Sequence, residues 1–591
     1  MKPLIVVTLL ELLIFVSPTL AQKTDAGLIK ADTGTPAAYM RAVRNATRLT
    51  RRKLTTEAEY DFEKTPKWRG QDDIVAVTDS RQAVAVKPEA KLKDRPLFLE
   101  NPQRRINIGL GADEGPDPMV AVGDRTIMVA NTTWIKAFNK RTGERTLNIS
   151  ATALFWKFLN PIIPAGAPNA GQPNPDFIAN TLNIPADVPY WCGKERACQT
   201  GPIDPISGNR LPCDNLTDEG VVQTAYDVRV YYQKEHRRFV IVAALKNETS
   251  RDNDDYNKPP TRDCSKYLAR FVGIAVSRSE NPDDSFHVFR TTENNFRDWP
   301  RAVVDQDYLT LAHNGGGEKS LGNSIVTVFS FRQMKDGFGT IAHFTIPQVP
   351  NGPVAVVPVA NLLTNHMSQT QFFVEHENAG DGIVKILYFK KPADPATIFH
   401  NPPTSLTLAG IITVPGARFT GGAFAGITYF DENIYTVSFQ TFEAETFLHR
   451  KGYGLNFFRI PVIAKTNGHH EATVVGLEYN VFKDFDYSFS DPSLAIDSLK
   501  NIVIQFIRIP RDKKSSEKPQ LRYKIKFAGN AEWNRSKLVQ EWTSSTTGHK
   551  KQVDYSWITK DPFEFAHFWH AHKYVAPGKN MWVGRISLSN P

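Results

Sequence analysis

The 591-residue chain carries a formal net charge of +9 at neutral pH. Much of its basic excess lies in one stretch, residues 40–53, MRAVRNATRLTRRK, and basic residues do not accumulate on any one predicted element of the main body. This distribution argues against nucleic acid as the main partner, because tracking a phosphate backbone requires a basic face on a folded domain. Attraction to acidic glycans or to a cell surface stays open.

The N-terminus has the layout of a secretory signal. Lys2 precedes a mostly apolar stretch from Leu4 to Val16, and small residues follow up to Ala21. We therefore expect a signal peptide, residues 1–21, cut after Ala21, and a mature protein that is secreted and extracellular. A retained anchor is the alternative on the length of the apolar stretch, which Glu11 interrupts. No later segment is apolar enough to span a bilayer.

Glycosylation would fit secretion from a eukaryotic host, since the chain contains several Asn-x-Ser/Thr sequons. The six sequons begin at Asn45, Asn131, Asn148, Asn215, Asn247 and Asn534.

Residues 22–104 are rich in charge, Thr, Ala and Pro and have little apolar periodicity, which predicts a flexible leader or pro-segment. Within it, RLTRRKLTTE has two interpretations. The first is a basic protease-processing site. The second is a partial match, through Arg52 and Leu54, to the host-targeting signal of secreted pathogen effectors, which would make the protein an effector delivered into a host cell.

From residue 105 to the end, short runs of Val, Ile, Phe, Tyr and Thr alternate with Gly, Pro, Asn and Asp, and long helical periods are nearly absent. This texture predicts an all-β domain. Similar units, each with two apolar strands around a turn, start at residues 117, 227, 298, 370, 421, 491 and 554. Further strand candidates between them bring each unit to about four strands, which predicts a β-propeller of about seven four-stranded blades, with six as the next choice. An array of β-sandwiches is the rival architecture.

The first interval between units is long and contains an insertion at about residues 156–224. The four cysteines all fall within one stretch of 73 residues that begins in this insertion: Cys192, Cys198, Cys213 and Cys264. Their even number in a secretory context predicts two disulfides, with three pairings open. A zinc site is the alternative, although the sequence has no C-x-x-C pair.

Thiol titration of the unfolded, unreduced protein is expected to find no free cysteine. Each disulfide would stabilise the fold by about 2–4 kcal/mol through the loop it closes. Four free thiols in protein from an oxidising host would contradict both disulfides.

Acidic residues recur at the start of the predicted units, in several cases beside an aromatic residue. In a propeller, the loop before the innermost strand lies where the central channel opens, so several carboxylates are expected near one mouth. The ligand-binding candidates are Asp117, Asp227, Asp298, Trp299, Asp491, Asp554 and Tyr555. Carboxylates beside aromatic rings suit hydroxyl-rich sugars, and paired acids also catalyse glycoside hydrolysis. The alternative is that a repeated Asp reports only a repeated turn geometry.

The last 40 residues carry a family pattern. Its residues are Asp554, Tyr555, Ser556, Asp561, Pro562, Phe568, Trp569, Tyr574, Trp582, Arg585 and Ile586. They resemble the closing blade of secreted, sialidase-like β-propeller proteins, most of which have no assigned reaction. The resemblance therefore implies the fold more strongly than an activity. It also implies that the aromatic residues Phe568, Trp569, Tyr574 and Trp582 belong to the core of the last blade.

The tetrapeptide FRIP at residues 458–461 matches the one that supplies a carboxylate-binding arginine in sialidases. Here it lies deep in the chain, and the S-x-D-x-G-x-T-W turns of those enzymes are missing. We therefore interpret Arg459 as a structural residue.

Three histidines lie close together near the C-terminus. Strand parity places His570 and His572 on one face and His567 on the other. His570 and His572 are candidate metal ligands with two of the three or four ligands that a site needs, so the preferred interpretation is half-buried histidines bonded to neighbouring backbone. No cofactor is expected.

Together these features predict a secreted, monomeric propeller that binds an extracellular glycan or protein. A carbohydrate-active hydrolase or lyase that uses carboxylates at the channel mouth is the alternative, and the sequence leaves open whether the protein is an enzyme. The enzyme hypothesis predicts a concave site with one carboxylate of raised pKa, whereas binding alone requires none.

Overall fold

The computed structural model is a ring of seven β-sheets, each of four to six strands, and it confirms the all-β propeller with seven blades. The structure describes residues 26–30, 106–107, 118–159, 221–249, 269–282, 285–291, 296–315, 324–338, 340–347, 354–361, 370–377, 383–391, 395–413, 425–442, 452–464, 472–482, 486–510, 517–541, 557–564, 566–574 and 580–588. Within each blade, the main strands run in chain order from the innermost strand outwards and pair antiparallel, and three blades also take a strand from an earlier part of the chain.

The first three blades follow this plan, with one addition at the outer edge of blade 3. Blade 1 contains β3 (Met119–Val122), β4 (Thr126–Ala130), β5 (Trp134–Asn139) and β6 (Arg145–Ser150). Blade 2 contains β7 (Val221–Gln233), β8 (Arg238–Thr249), β9 (Ala269–Ser277) and β10 (Phe286–Arg290). Blade 3 contains β11 (Phe296–Val304), β12 (Tyr308–Gly315), β13 (Ser324–Ser330) and β14 (Thr340–Pro347), and β1 (Ala26–Lys30) pairs with β14 as a fifth strand.

Blade 4 keeps four strands, whereas blade 5 has six. Blade 4 contains β15 (Val354–Pro358), β17 (Thr370–Glu377), β18 (Ile383–Lys390) and β19 (Thr407–Thr413). Blade 5 contains β20 (Ala425–Phe430), β21 (Asn433–Phe442), β22 (Gly452–Ala464), β23 (Ala472–Val474) and β24 (Glu478–Phe482), and β16 (Ala360–Asn361) pairs parallel with β20. The unit predicted from residue 370 therefore starts at the second strand of its blade.

The last two blades complete the ring, and blade 7 takes a strand from the N-terminal part of the chain. Blade 6 contains β25 (Tyr487–Ile496), β26 (Ile502–Pro510), β27 (Gln520–Lys526) and β28 (Lys537–Glu541). Blade 7 contains β29 (Trp557–Lys560), β30 (His567–Tyr574) and β31 (Asn580–Ser587), with β2 (Ile106–Asn107) as its outer strand.

The described helices are short connections. They are α1 (Ala151–Leu154), α2 (Trp156–Leu159), α3 (Phe331–Lys335) and α4 (Pro395–Ile398). At no more than five residues each, none of these described helices could reach across a bilayer.

The hydrophobic core lies between the blades and not inside any one of them. Apolar side chains on both faces of each sheet form clusters, and every cluster among the described residues joins two neighbouring blades. The last cluster joins blade 7 to blade 1 through Trp569 and Val120. A single blade thus has no core of its own, which is why the sequence repeats the unit around a closed ring.

The N-terminal leader contributes one described strand, which lies at the outer edge of blade 3. β1 lies within the predicted leader, and it pairs with β14 from Ala26 opposite Phe344 to Lys30 opposite Thr340. β2 lies just inside the predicted propeller, two residues after its expected boundary.

Candidate functional site

A cavity of about 510 Å³ lies on the axis of the ring, where the innermost strands of all seven blades meet. Its volume is typical of a site for a small ligand. Four cationic side chains contribute to its lining, from blades 2, 3 and 7: Arg229, Lys234, Arg301 and Lys560. Aromatic residues of the same blades also line it, among them Tyr231 and Trp557.

The two arginines flank a half-buried tyrosine, Tyr231. The hydroxyl of Tyr231 accepts a hydrogen bond from the amide of Ala302 at 2.9 Å. Burial raises the pKa of Tyr231, and the Ala302 bond and the charges of Arg229 and Arg301 oppose this rise. The phenol therefore stays protonated at neutral pH and lies within the electrostatic range of both guanidinium groups.

Two lysines, Lys234 of blade 2 and Lys560 of blade 7, lie close enough in the cavity lining for their charges to repel each other. Burial is the main cause that lowers the pKa of Lys560, and the positive charge of Lys234 lowers it further. Asp497 and Asp561 partly oppose this effect. Among the described residues, neither lysine has a carboxylate at ion-pair distance. A negatively charged group between them would relieve their repulsion.

The carboxylate of Asp561, by contrast, is occupied by neighbouring groups. Its Oδ2 lies 2.6 Å from the ammonium of Lys140 and accepts a hydrogen bond from Trp569 Nε1 at 2.9 Å. Its Oδ1 accepts the backbone amides of Phe563 and Glu564, both at 3.0 Å. Asp561 therefore joins the inner turn of blade 7 to blade 1.

The other acids of the cavity are also engaged. Asp497 is 2% exposed, and its Oδ1 accepts the amides of Leu499 and Asn501 at 2.9 and 2.8 Å. Its Oδ2 accepts Asn501 Nδ2 at 2.8 Å. Burial raises the pKa of Asp497 although these bonds lower it. Glu235 accepts a bond from Gln233, and Glu564 forms ion pairs with Lys140 and Arg585. The acids of the cavity are therefore held by hydrogen bonds or ion pairs, whereas Lys234 and Lys560 have no carboxylate at ion-pair distance among the described residues.

The recurrent aspartates have a structural origin. Asp227 and Asp491 lie inside the innermost strands of blades 2 and 6, not before them, and each occupies a β-bulge. Their φ angles are 50° and 48°. The equivalent residue of blade 5 is Gly426, with φ of 67°. Asp and Gly adopt this left-handed conformation more readily than most residues, so the repeated acid reports a repeated bulge.

Neither of these two aspartates lines the cavity. Asp491 instead accepts a hydrogen bond from Ser490 Oγ at 2.9 Å. Asp298 and Trp299 lie on β11 at the corresponding bulge of blade 3. The remaining predicted mouth residues lie outside the described residues: Asp117, Asp554 and Tyr555.

The histidine pair lies between blades 6 and 7. The rings of His570 and His572 are stacked with centroids 5.2 Å apart, and both side chains are buried. His567 is on the other face, where its Nδ1 lies 2.8 Å from Ser587 Oγ, as strand parity predicted. No group of three or more His, Cys, Asp or Glu side chains with metal-binding geometry occurs within the described ranges.

The aromatic residues predicted to form the core of blade 7 are buried where the structure describes them. Phe568 is fully buried against blade 6, and Trp569 is 4% exposed against blade 1. The side chains of Tyr574 and Trp582 are not among those described.

Arg459 has the structural role expected from the sequence. It lies on the third strand of blade 5, where its Nη1 is 3.0 Å from Glu478 Oε2 and its Nε donates to Asn433 Oδ1 at 3.0 Å. It does not line the cavity.

The predicted modification sites lie partly within the described residues. Asn131 is 1% exposed, and its Oδ1 accepts the amides of Thr133 and Trp134, so a glycan there would require this turn to open. Asn148 lies on β6 and Asn247 on β8, whereas Asn534 is partly exposed in the turn before β28. Asn45, Asn215 and the four cysteines, Cys192, Cys198, Cys213 and Cys264, lie outside the described residues. Glycosylation and the disulfides stay predictions.

Comparison with known proteins finds structural likenesses at low similarity. No family model matches the chain, and no curated protein matches it. A solved polysaccharide lyase shares 10% identity over 85% of this chain and 95% of its own, with a TM-score of 0.39. The WD40 domain of SCAP from fission yeast shares 10% over 83% and 96%, with a TM-score of 0.32. A Hadza microbial sialidase shares 10% over 82% and 68%, with a TM-score of 0.29. Likenesses of this extent carry no conclusion about activity.

Proposed function

We propose that the protein is a secreted propeller that binds the acidic group of a glycan in its central cavity. The observation that carries this proposal is the unequal pairing of the charged side chains in the cavity lining, which contains four cations and four acids. Lys234 and Lys560 face the same space without an acidic partner among the described residues, whereas Asp497 and Asp561 are held by neighbouring donors. A carboxylate or sulfate on a sugar would supply an anionic partner for these two lysines.

The size and chemistry of the cavity favour a sugar over a protein as the bound group. A volume of about 510 Å³ is within the range for small ligands. A protein partner binds instead through an extended surface patch. Trp557 and Tyr231 add aromatic surface to the lining, and such surface packs against the apolar face of a sugar ring.

The mature protein is expected to bind acidic oligosaccharides on a glycan array and to bind their neutral analogues much more weakly. Lys560→Gln should weaken binding of the acidic ligand about tenfold, because it removes a charged donor from the cavity. Titration calorimetry at two salt concentrations measures this effect, and higher salt should lower the affinity.

Lys500→Gln is the matched control. Lys500 and Asp497 lie in the same connection between β25 and β26 of blade 6. Lys500, however, is exposed and already paired with Asp431 at 2.5 Å. Its replacement should leave the affinity unchanged. Equal binding of acidic and neutral oligosaccharides, or equal loss in both variants, would contradict the proposal.

A carbohydrate-active hydrolase or lyase is the second candidate, and one pair of residues favours it. Asp497 and Lys560 both line the cavity, and burial raises the pKa of the carboxyl while it lowers that of the ammonium. Groups whose pKa values are displaced in opposite directions are suited to act as acid and base. Depolymerisation of an acidic polysaccharide that Asp497→Asn abolishes, with binding retained, would establish this candidate. A bound polysaccharide whose chain length stays constant would exclude it for that substrate.

Secretion, and delivery of the protein into a host cell, rest on the N-terminal sequence alone and stay predictions.

A further inference from the structure

Two arginines of blade 6 converge on one neutral acceptor, away from the central cavity. Arg508 lies on β26 and Arg522 on β27. Arg508 Nη2 donates to Gln520 Oε1 at 2.8 Å, and Arg522 Nη1 donates to the same oxygen at 2.7 Å. Two like charges are therefore brought to a single uncharged amide oxygen, an arrangement that repulsion opposes unless an anion is present.

Neighbouring carboxylates do not neutralise this pair. Glu541 accepts a bond from Gln520 Nε2 at 3.1 Å, and Glu517 accepts one from the hydroxyl of Tyr487. Neither Arg508 nor Arg522 has an ion-pair partner in the part of the chain that the structure describes. The buried Nε of Arg508 also has no hydrogen-bond partner among those residues.

Neutral groups hold both guanidinium planes in place. The guanidinium of Arg508 lies 3.9 Å from the centre of the Tyr487 ring. Arg522 donates through Nε to Ser536 Oγ at 3.1 Å and through Nη2 to the Ser536 carbonyl at 2.9 Å. Both side chains are partly exposed, so a ligand from solvent can reach them. The conformational cost of ordering two long side chains has thus been met before a ligand arrives.

We propose that Arg508 and Arg522 form a binding site for one oxyanion on blade 6, separate from the central cavity. The ligand is a group that can accept N–H donors from two guanidinium groups at once, namely a carboxylate, a sulfate or a phosphate. Neither arginine lines the central cavity, so the site does not depend on the function proposed for that cavity.

Equilibrium dialysis of the full mature protein with radiolabelled sulfate tests the site, with chloride used to keep the ionic strength constant. The wild type should bind sulfate saturably. Arg508→Gln and Arg522→Gln should each weaken binding about tenfold, which corresponds to the loss of one charged hydrogen-bond donor. Competition by a sulfated monosaccharide, by glucuronate and by inorganic phosphate then identifies which source of the oxyanion the site prefers.

Arg459→Gln is the matched control, because Arg459 and Arg508 are both followed by Ile-Pro on a strand, but Arg459 is already paired with Glu478. It should leave sulfate binding unchanged.

Lys560→Gln separates the arginine site from the central cavity, because it should leave the arginine site intact. Sulfate that still binds to the Lys560→Gln variant, and that no longer binds once Arg508→Gln is added, is therefore bound on blade 6. If a glutamine variant fails to fold, Arg508→Lys provides a second test, since it keeps the charge and removes the planar fork. The proposal is overturned if the wild type binds none of the three anions, or if the double variant Arg508→Gln, Arg522→Gln binds sulfate as the wild type does.

Discussion

Replacing Trp569 by alanine is expected to lower the free energy of unfolding by about 3–5 kcal/mol. The indole is 4% exposed in the cluster that joins blade 7 to blade 1, where it packs with Val120, Val129 and Phe138. Its removal leaves a cavity at the interface that closes the ring. It also removes the hydrogen bond from Nε1 to Asp561, a carboxylate that is 2% exposed. Urea unfolding followed by circular dichroism measures the loss.

Trp569→Phe is the control for this prediction. It keeps most of the apolar ring and removes the indole N–H, so it should cost about 1–3 kcal/mol as the Asp561 oxygen loses a donor. A loss for Trp569→Ala that is no larger than the loss for Trp569→Phe would show that packing of the indole contributes little, against the prediction.

Gly426→Ala is expected to destabilise the protein by about 2–5 kcal/mol, for two reasons that add. The residue has φ of 67°, and an L side chain in this left-handed conformation costs about 1–2 kcal/mol. An added Cβ would also overlap the carbonyl oxygen of Leu494 and lie 2.6 Å from its amide nitrogen. These are backbone atoms of blade 6, which cannot move aside as a flexible side chain could, and overpacking of this kind costs about 1–3 kcal/mol more.

Gly529→Ala separates the two causes. Gly529 has φ of 80°, but an added Cβ would have no neighbour within 4 Å. Its replacement should therefore cost only the conformational part, about 1–2 kcal/mol. The difference between the two variants measures the contact between blades 5 and 6. Equal losses would mean that the bulge of blade 5 can shift away from Leu494, and the second reason would then fail.

The fold could be predicted from the sequence because the repeated unit is also the unit of packing. Each innermost strand needs a bulge, and Asp227 and Asp491 mark two of these bulges in the sequence. The same aspartates suggested a ligand site, since a residue type that suits a left-handed backbone also suits sugar binding, and neither of them lines the central cavity. Geometry inside the strand decides between the two roles, and residue spacing alone does not reveal it.

The cationic lining of the cavity was missed for a related reason. Arg229 stands two residues after Asp227, and Arg301 two residues after Trp299 at the corresponding bulge of blade 3. A bulge changes which side chains face the axis, so strict alternation along the strand does not predict these positions. A search for charged residues two positions after each repeated bulge would have found both arginines. The pair formed by Arg508 and Arg522 depends in addition on the pairing of β26 with β27, which places Arg508 opposite Gln520.

The sheet of blade 7 combines the two ends of the propeller sequence, since Ile106 pairs with Val583 and Asn107 with Trp582. During synthesis, β2 leaves the ribosome long before its partner β31 exists. The middle blades can form as they emerge, but the seam of the ring can close only after almost the whole chain has been made. Until then, the facing surfaces of blades 1 and 6 lack their partner and expose apolar side chains such as Val120 and Tyr523. The interval between emergence of blade 1 and completion of blade 7 is therefore the period in which this protein is most exposed to aggregation and most dependent on chaperones.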